Sequence, residues 1–418
     1  MYGLAKTWNQ NTPTVAQDVI LAGFVANGHQ AANKNIAYDD KPSLYIYNML
    51  GEELGTNITR GALQSNGSAG ELITKLQAQD ADSKGALASP IGYDIENDGI
   101  IDVVYAGDYF GDLYRFDLRG NQNDWTVKKI YNGDSSRPIT AAPVVYRDTD
   151  VNKPIIAFGT GSDLYERDRY RVAQQGFFAI YDDLTNKNPA AVTNNDLAQR
   201  SLTTKGNKRT SIRISELEKG KKGWWIPLIT GRALPSGQSG EFSTSEMVVT
   251  QPSILLSTVF FTTRTYKGSK SSSGNTSNTP KETCSVSTES DKSSGDSQLM
   301  AIDIKTGALP DAATSAKLTT EEEVVGVDLG SLASSVIVEE KIPEQSAVNV
   351  YGQIGSGELP EIGNVRATID GAPKCVSRSN PVRLSYTVAG TGYQAREVPV
   401  PYCSEGVRLI RTTTREIK

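Results

Sequence analysis

The chain has few of the residues that catalytic and metal sites most often use. Its 418 residues include one histidine, His29, and three cysteines, Cys284, Cys375 and Cys403. Three cysteines are too few for a disulfide scaffold, and their spacing fits no zinc motif. No GxSxG nucleophile elbow and no phosphate-binding P-loop occurs in the sequence. We interpret His29 as a turn residue rather than a general base, and we expect that the protein is not an enzyme.

Positive charge and long apolar runs are also scarce. The formal net charge is -5, whereas domains that bind nucleic acid usually carry an excess of positive charge. No apolar run reaches the roughly 18 residues that a membrane-spanning helix needs. The first residues form neither the basic nor the apolar region of a signal peptide, which indicates a cytoplasmic protein or a fragment of a longer exported one. We therefore expect neither a nucleic-acid partner nor a membrane span in this chain.

A strand-like segment recurs along the sequence. Apolar and polar residues alternate before a turn at Asp, Asn or Gly in four segments, at residues 43–51, 112–120, 176–182 and 298–307. Their first apolar positions are separated by 69, 64 and 122 residues, and the last interval is close to two repeat units. Alternation followed by such a turn is typical of a strand that ends in a hairpin.

Two of these segments follow a second shared pattern. A strand led by proline precedes a β-branched strand and a glycine turn at residues 89–108 and again at 142–161. Short strands that recur with a period of about 60 to 70 residues are typical of β-propeller blades. The sequence therefore predicts an all-β protein in which residues 1–418 form a single β-propeller domain of about seven irregular, quinoprotein-like blades. An irregular array of β-sandwiches is the alternative.

Two segments interrupt the repeat. Residues 265–297 are rich in Ser, Thr, Gly and Lys and nearly free of large apolar side chains, so we predict a flexible surface insertion there. Residues 200–222 carry a local excess of Lys and Arg. We interpret this basic segment as a solvated loop between strands, with a binding patch as the alternative.

Further strands are expected after the basic segment. The pair Trp224 and Trp225 is interpreted as the start of a core strand rather than as a stacking platform. The repeat becomes hard to follow near the C-terminus, where residues 326–329, 347–351 and 384–388 have the composition of strands in the last blades.

Residues 94–102 form an acidic segment with the spacing of a calcium-binding loop. Calcium requires six to eight hard oxygen ligands at about 2.3–2.6 Å, which the odd-numbered positions of a tight loop supply from one side. Gly99 stands at position 6, where such loops turn sharply. The predicted ligands are four carboxylates and one main-chain carbonyl, from Asp94, Glu96, Asp98, Asp102 and Ile100. Without an ion the four carboxylates would repel one another, so the segment predicts a calcium site.

The segment departs from a helix-loop-helix calcium hand at two positions. Glu96 stands at position 3, where Asp or Asn is commoner, and Tyr105 stands at position 12 in place of a bidentate Glu. Because Tyr105 lies in a predicted strand, we interpret the segment as an EF-hand-like DxDxDG loop between two strands, with a merely acidic hairpin as the alternative. Residues 148–154 repeat the pattern weakly, with Lys153 at position 6 and Ile156 at position 9, and are interpreted as a decayed loop.

The sequence resembles the C-terminal propeller of the PilC/PilY proteins, the type IV pilus tip-associated adhesins, and it does so most specifically at this loop and the strands that follow it. The specific match is the loop at 94–102 followed by the sequence Tyr-Ala-Gly-Asp at 105–108 and the strand at 111–118. Looser matches follow in family order at residues 158–161, 176–182, 223–225, 259–263 and 298–303, with Cys284 before the last of them. The resemblance spans roughly residues 40–310.

The resemblance implies an exported protein at the pilus tip, outer membrane or cell surface. It implies roles in pilus biogenesis, twitching motility, host-cell adherence and virulence, with calcium shifting the balance between pilus extension and retraction. The expected partners are minor pilins and a host-cell surface receptor, and the expected state is a monomer. A structural propeller scaffold for protein–protein interaction is one alternative. A quinoprotein dehydrogenase is another, although such enzymes commonly carry a vicinal disulfide and this sequence has no adjacent cysteines.

We predict a disulfide between Cys375 and Cys403, because both cysteines lie near the C-terminus of a protein expected to be exported, where disulfides persist. The two cysteines lie 28 residues apart. Closing a loop of this length contributes roughly 3 kcal/mol to the free energy of unfolding. Thiol counting on denatured, unreduced protein should then find one free thiol, that of Cys284. Three free thiols would exclude the bridge.

Overall fold

The computed structural model describes residues 1–7, 18–28, 41–54, 63–64, 70–79, 86–120, 122–165, 168, 170–233, 240–270, 294–311, 315–319, 321, 323–340 and 382–398. Within these ranges the chain is all-β, with short 3-10 turns at Gln122–Asp124 and Asn194–Asp196. The described part contains no helix long and apolar enough to cross a membrane.

Twenty-six strands follow one another in the described residues. The first nine are β1 (Tyr2–Thr7), β2 (Asp18–Ala26), β3 (Ser43–Leu54), β4 (Leu63–Gln64), β5 (Glu71–Gln77), β6 (Ile91–Tyr93), β7 (Val103–Gly107), β8 (Leu113–Asp117) and β9 (Thr126–Tyr131). The next nine are β10 (Val144–Asp148), β11 (Lys153–Gly159), β12 (Gly176–Tyr181), β13 (Ala198–Gln199), β14 (Thr203–Lys205), β15 (Lys208–Thr210), β16 (Gly223–Pro227), β17 (Gly240–Ser243) and β18 (Ser253–Leu255). The last eight are β19 (Thr258–Thr262), β20 (Thr265–Lys270), β21 (Ser294–Asp296), β22 (Gln298–Asp303), β23 (Val324–Asp328), β24 (Ile337–Glu340), β25 (Val382–Val388) and β26 (Gly392–Val398).

These strands form five successive sheets, I to V, and one small side sheet. Sheet I has the order β1-β2-β3, with β4 and β5 both paired to β3, and sheet II is the meander β6-β7-β8-β9. Sheet III has the order β10-β11-β12-β16-β13, and sheet IV has the order β18-β19-β22-β23-β15-β14. Sheet V is β24-β25-β26, and the side sheet is β17-β20-β21. All pairings are antiparallel except that of β13 with β16.

Each sheet packs its face against the next sheet in chain order. In β7, Val104 and Ala106 join the apolar cluster between sheets I and II, whereas Val103 and Tyr105 join the cluster between sheets II and III. Two further clusters fill the spaces between sheets III and IV and between sheets IV and V. The first strands β6, β10, β18 and β24 contact one another in this order. Successive sheets packed face to face around their first strands are the arrangement of propeller blades.

The segment that recurs in the sequence occupies the same place in each of four sheets. The four strand-like segments fall on β3, β8, β12 and β22, which are the third strands of sheets I to IV. The strands led by proline are β6 and β10, the first strands of sheets II and III. Pro252 precedes β18 in the same way, a copy of the pattern that the sequence reading missed.

Between the third and the fourth repeated segment, which are 122 residues apart, the described residues add no sheet to the series I to V. The sheets that hold β12 and β22 share one apolar cluster, so no sheet of the described residues lies between them. The extra residues form β13 at the edge of sheet III, the β14–β15 hairpin at the edge of sheet IV and the side sheet. The total number of blades stays a prediction.

The alternation of apolar and polar residues does not mark a solvent-exposed face. All five residues of β8 are buried, and the polar one at the centre, Arg115, has a fully buried side chain. Tyr105, Tyr114 and Tyr131 are likewise fully buried. Sheets covered on both faces bury consecutive side chains, so a polar residue in such a strand requires an internal partner.

The basic segment at residues 200–222 is partly a hairpin, and several of its charges are paired. Arg200 and Arg209 are buried and pair with Glu218 at 2.5 Å and with Glu246 at 2.7 Å. The exposed lysines of β14 and β15 pair with acidic residues of the segment before β23. Lys219, Lys221 and Lys222 are exposed, so the binding patch stays an alternative for this part of the segment.

The structure describes the predicted tryptophan strand and both ends of the predicted insertion. Trp224 and Trp225 lie in β16 and are buried, as expected for a core strand. Both ends of the predicted insertion at 265–297 are paired strands, β20 and β21. His29, the three cysteines and the strand predicted at 347–351 lie outside the described residues.

A stacked ring pair between sheets III and IV provides a test of the packing. The rings of Phe177 and Phe261 lie 3.9 Å apart at an interplanar angle of 4°, and both side chains are fully buried. Phe261→Ala should lower the free energy of unfolding by about 3–5 kcal/mol, because it leaves a cavity in this interface. Urea unfolding measures the loss. The control Ile212→Ala, at a side chain that is 71% exposed, should change stability by less than about 0.5 kcal/mol. Equal losses of stability for the two substitutions would contradict the close packing of Phe261 between sheets III and IV.

Candidate metal centre

The acidic loop joins the first two strands of sheet II. Residues 94–102 connect β6 to β7, and the Asp102 N–H donates to the Tyr93 carbonyl at 3.1 Å at the base of the turn. Asn97 and Gly99 adopt left-handed backbone conformations, with φ of 58° and 89°. Glycine has no Cβ to clash in this region, and Asn tolerates it better than most residues. The sequence of the loop therefore favours this tight path.

Two of the predicted ligands fold the loop upon itself. The Asp94 carboxylate accepts hydrogen bonds from the N–H groups of Asp98 at 3.3 Å and Gly99 at 2.7 Å. The Asp98 carboxylate accepts a hydrogen bond from the Ile100 N–H at 2.9 Å. Bonds from short acidic side chains to nearby main chain are typical of turns, and here they hold the acidic residues on one compact turn.

Asp102 is partly buried at the base of the loop. Its Oδ2 accepts a hydrogen bond from the Ile95 N–H at 2.8 Å. Burial raises the pKa of Asp102 more than this hydrogen bond lowers it, and the charges of Asp94, Asp98 and Glu96 raise the pKa further. The loop carboxylates thus act unfavourably on one another, and a divalent cation among them would relieve this repulsion.

Both neighbouring sheets contact the loop. The Lys6 ammonium of β1 in sheet I lies 3.6 Å from the Asp98 carboxylate. From sheet III, the Arg147 guanidinium donates to the Ile95 carbonyl at 2.9 Å. Sequence reasoning did not identify Lys6 or Arg147, because each comes from a separate strand and neither belongs to a recognisable motif. A change in the loop would reach both neighbouring sheets directly.

A cavity of about 220 Å³ lies beside the loop. Its wall includes Glu96 and Asp102 of the loop, Lys6 of β1, and Arg119 in the turn after β8. Three of the five predicted ligand residues, Glu96, Ile100 and Asp102, therefore border open volume rather than tightly packed side chains.

The predicted ligands share one turn, but their side chains do not converge on one point. Among the residues that the structure describes, no three carboxylate, imidazole or thiol groups form a set that could hold a metal ion as placed. The chemistry of the donors nevertheless fits calcium, since carboxylate and carbonyl oxygens are the hard ligands that this ion takes. Asp94, Glu96, Asp98, Asp102 and the Ile100 carbonyl are the groups that would hold it.

Asp108 lies at the end of β7 away from the loop and was given no role by the sequence. It is fully buried, and its Oδ1 accepts hydrogen bonds at 2.9 Å from the N–H groups of Phe110 and Asp112. Its Oδ2 has no hydrogen-bond partner among the described residues. Burial, followed by the charge of Asp112, raises the pKa of Asp108 to about 8.

Comparisons with known proteins agree with this architecture. The family model described as the PilY1 beta-propeller domain matches residues 4–212, a range that includes the acidic loop. The crystal structure of the Pseudomonas aeruginosa PilY1 C-terminal domain is similar with a TM-score of 0.55 and 16% sequence identity, over 96% of this chain and 72% of that chain. At this identity the structural likeness shows the fold alone.

Curated relatives match a part of the chain. The type IV pilus biogenesis factor PilY1 homolog of Xylella fastidiosa (strain Temecula1) is 28% identical over 165 residues, which cover 38% of this chain and 13% of that protein. The type IV pilus biogenesis factor PilY1 of P. aeruginosa (strain UCBPP-PA14) is 28% identical over 174 residues, which cover 33% of this chain and 15% of that protein. The matched part is thus less than a fifth of the length of either relative.

The buried Asp108 predicts a pH dependence of stability. Between the ordinary aspartate pKa and about 8, the folded state holds a proton that the unfolded state has lost. The free energy of unfolding should therefore fall as pH rises through this window. Asp108→Asn keeps an oxygen acceptor without the charge, so its stability should decline less between pH 5 and pH 8 in urea unfolding. If the free energy of unfolding fell equally with pH in the variant and in wild type, the raised pKa of Asp108 would be contradicted.

Proposed function

The chain belongs to the PilY1 β-propeller family, and on that premise we propose that it is a calcium-binding propeller that acts in type IV pilus biogenesis. The relatives that it matches are named type IV pilus biogenesis factors. Their role comes to this chain as a proposal, because the chain corresponds to a small part of each. We further propose a non-enzymatic protein at the pilus or cell surface that acts as a monomer.

The acidic loop is the single feature that carries the calcium proposal. Asp94 and Asp98 organise the turn through main-chain hydrogen bonds, while Glu96 and Asp102 border the adjacent cavity. Lys6 brings one positive charge to these four carboxylates, and a bound calcium ion would balance more of their negative charge. The residues of the chain supply the oxygen ligands and the left-handed turn at Gly99 that keeps them on one short segment.

Calcium in this loop would act locally rather than hold the whole domain together. Four interfaces between sheets are filled by their own apolar clusters, and these clusters account for the core. Binding stabilises a folded protein by about 2.7 kcal/mol at a hundredfold excess of ligand over Kd, which is enough to order one turn and its neighbours. Because Lys6 and Arg147 contact the loop, such ordering would reach sheets I and III. We propose that this changes a surface for minor pilins or a host-cell receptor and thereby affects twitching motility and adherence.

A structural propeller scaffold is the second candidate function. The observation that favours it is the lack of convergence of the loop side chains in the described structure. Calcium titration separates the two candidates, since a scaffold with a merely acidic hairpin would bind no ion with appreciable affinity.

Isothermal titration of the purified chain should find one calcium equivalent. Asp98→Ala should weaken the affinity by orders of magnitude, because it removes a central charged ligand. Asp124→Ala, which removes an exposed carboxylate of the 3-10 turn after β8, is the matched control and should titrate like wild type. The calcium proposal fails if Asp98→Ala binds as tightly as the control.

The same variant tests whether the ion acts locally. Asp98→Ala protein should keep its β circular dichroism spectrum, and its melting temperature in calcium should be lower than that of wild type by a few degrees. Bacteria that carry the substitution in the full-length protein should show abnormal piliation or twitching. Loss of the β spectrum when wild-type protein is chelated would show instead that the ion holds the entire domain.

A further inference from the structure

The decayed loop occupies the same place in sheet III that the acidic loop occupies in sheet II. It joins β10 to β11, the first two strands, as residues 94–102 join β6 to β7. Asp148 and Asp150 stand at positions 1 and 3, and Asn152 has a left-handed φ of 52°. The loop thus keeps the first carboxylates and the tight turn of its counterpart, but it lacks the later carboxylates.

A lysine from the next sheet lies between these two carboxylates. Lys305 follows β22 of sheet IV, and its ammonium is 3.0 Å from the Asp148 Oδ1 and 2.6 Å from the Asp150 Oδ2. The side chain of Asp303 accepts a hydrogen bond from the Lys305 N–H at 3.1 Å, which fixes the turn that carries the lysine. The Tyr181 hydroxyl donates to the other oxygen of Asp148 at 3.2 Å.

Burial makes a positive charge necessary at this position. The side chain of Asp148 is 3% exposed, that of Lys305 is 27% exposed, and Asp150 lies at the surface. A buried carboxylate is strongly destabilising unless a partner neutralises it. Partial burial lowers the pKa of Lys305, but the hydrogen bonds to Asp150 and Asp148 outweigh this effect and raise it. The lysine is therefore held in its charged form.

The lysine of the decayed loop itself does not fill this position. Lys153, at position 6, is directed away from the loop carboxylates and pairs with Asp183 at 3.0 Å. The cation between Asp148 and Asp150 comes from a residue 155 positions away from Asp150 in the chain. The loop thus receives its positive charge from a neighbouring sheet.

We propose that the Lys305 ammonium takes, in this second loop, the place that a metal ion takes in a calcium loop. The buried Asp148 of the second loop then has a cation that cannot dissociate, and the contact between sheets III and IV does not depend on the calcium concentration. The comparison with the first loop rests on the calcium function proposed for it, whereas the contacts of Lys305 do not.

The test replaces the lysine in a background where the first loop cannot respond. Asp98→Ala is the parent, and Lys305→Met removes the charge while keeping most of the side-chain volume. In chelator the double variant should melt several degrees below the parent, because Asp148 is left buried without its cation. Millimolar calcium should restore part of this loss in the double variant and should not change the melting temperature of the parent. Lys219→Met, at an exposed lysine of the 200–222 segment, is the matched control and should have neither effect.

Two outcomes would overturn the proposal. If the double variant melted at the same temperature as its parent, Asp148 would not depend on the charge of Lys305. A lowered melting temperature that calcium does not restore would show an ordinary ion pair rather than a substitute for a metal ion. Failure of the calcium proposal for the first loop would be seen separately, in the titration of wild-type protein.

Discussion

The packing of each sheet on both of its faces is the constraint on which the rest of the structure depends. It buries every residue of strands such as β7 and β8, so each polar side chain in them needs a partner inside the protein. Arg115 illustrates this requirement, because its buried guanidinium donates to the Asp182 carboxylate at 2.8 Å and to the Asn186 carbonyl at 2.7 Å. The Tyr105 hydroxyl donates to the same carboxylate at 2.9 Å. Removing either Arg115 or Asp182 would leave the other charge buried without a partner, so these contacts fix how sheets II and III meet.

This network lies at the same end of sheets II and III as the acidic loop. Asp182 follows β12, at the same end of the sheets as residues 94–102, which follow β6. Burial raises the pKa of Asp182, and the neighbouring Arg115 charge opposes the rise. The loop therefore projects from a framework in which strands and buried charges are already matched. The loop is also tied to the sheets on either side, because the Ile101 N–H donates to the Leu4 carbonyl of sheet I at 2.8 Å and Arg147 of sheet III donates to the Ile95 carbonyl.

The fold was predictable from the sequence where a local pattern repeats, whereas the calcium site stays a prediction that rests on one short motif. The third strands of four sheets carry such a repeat, and the acidic loop between β6 and β7 carries such a motif. The interval of 122 residues suggested two repeat units, which was misleading. Its described residues include edge strands and a side sheet, and these have no repeated sequence pattern. Arg115 could not be recognised as buried, because its partner Asp182 is distant in sequence. Lys305 and Arg147 were missed for the same reason, and the placement of the loop side chains depends on rotamers that no motif encodes.

The hairpin stem formed by β20 and β21 has a practical consequence. Thr265 pairs with Asp296 and Lys267 with Ser294, and β20 and β21 immediately follow β19 and precede β22 of sheet IV. The chain that connects the stem therefore leaves and re-enters the domain at neighbouring points, whatever its length. Because loop-closure entropy grows slowly with length, this connection is suited to accept inserted sequence. It is the natural place for an epitope or a fluorescent label with which to follow the protein on living cells.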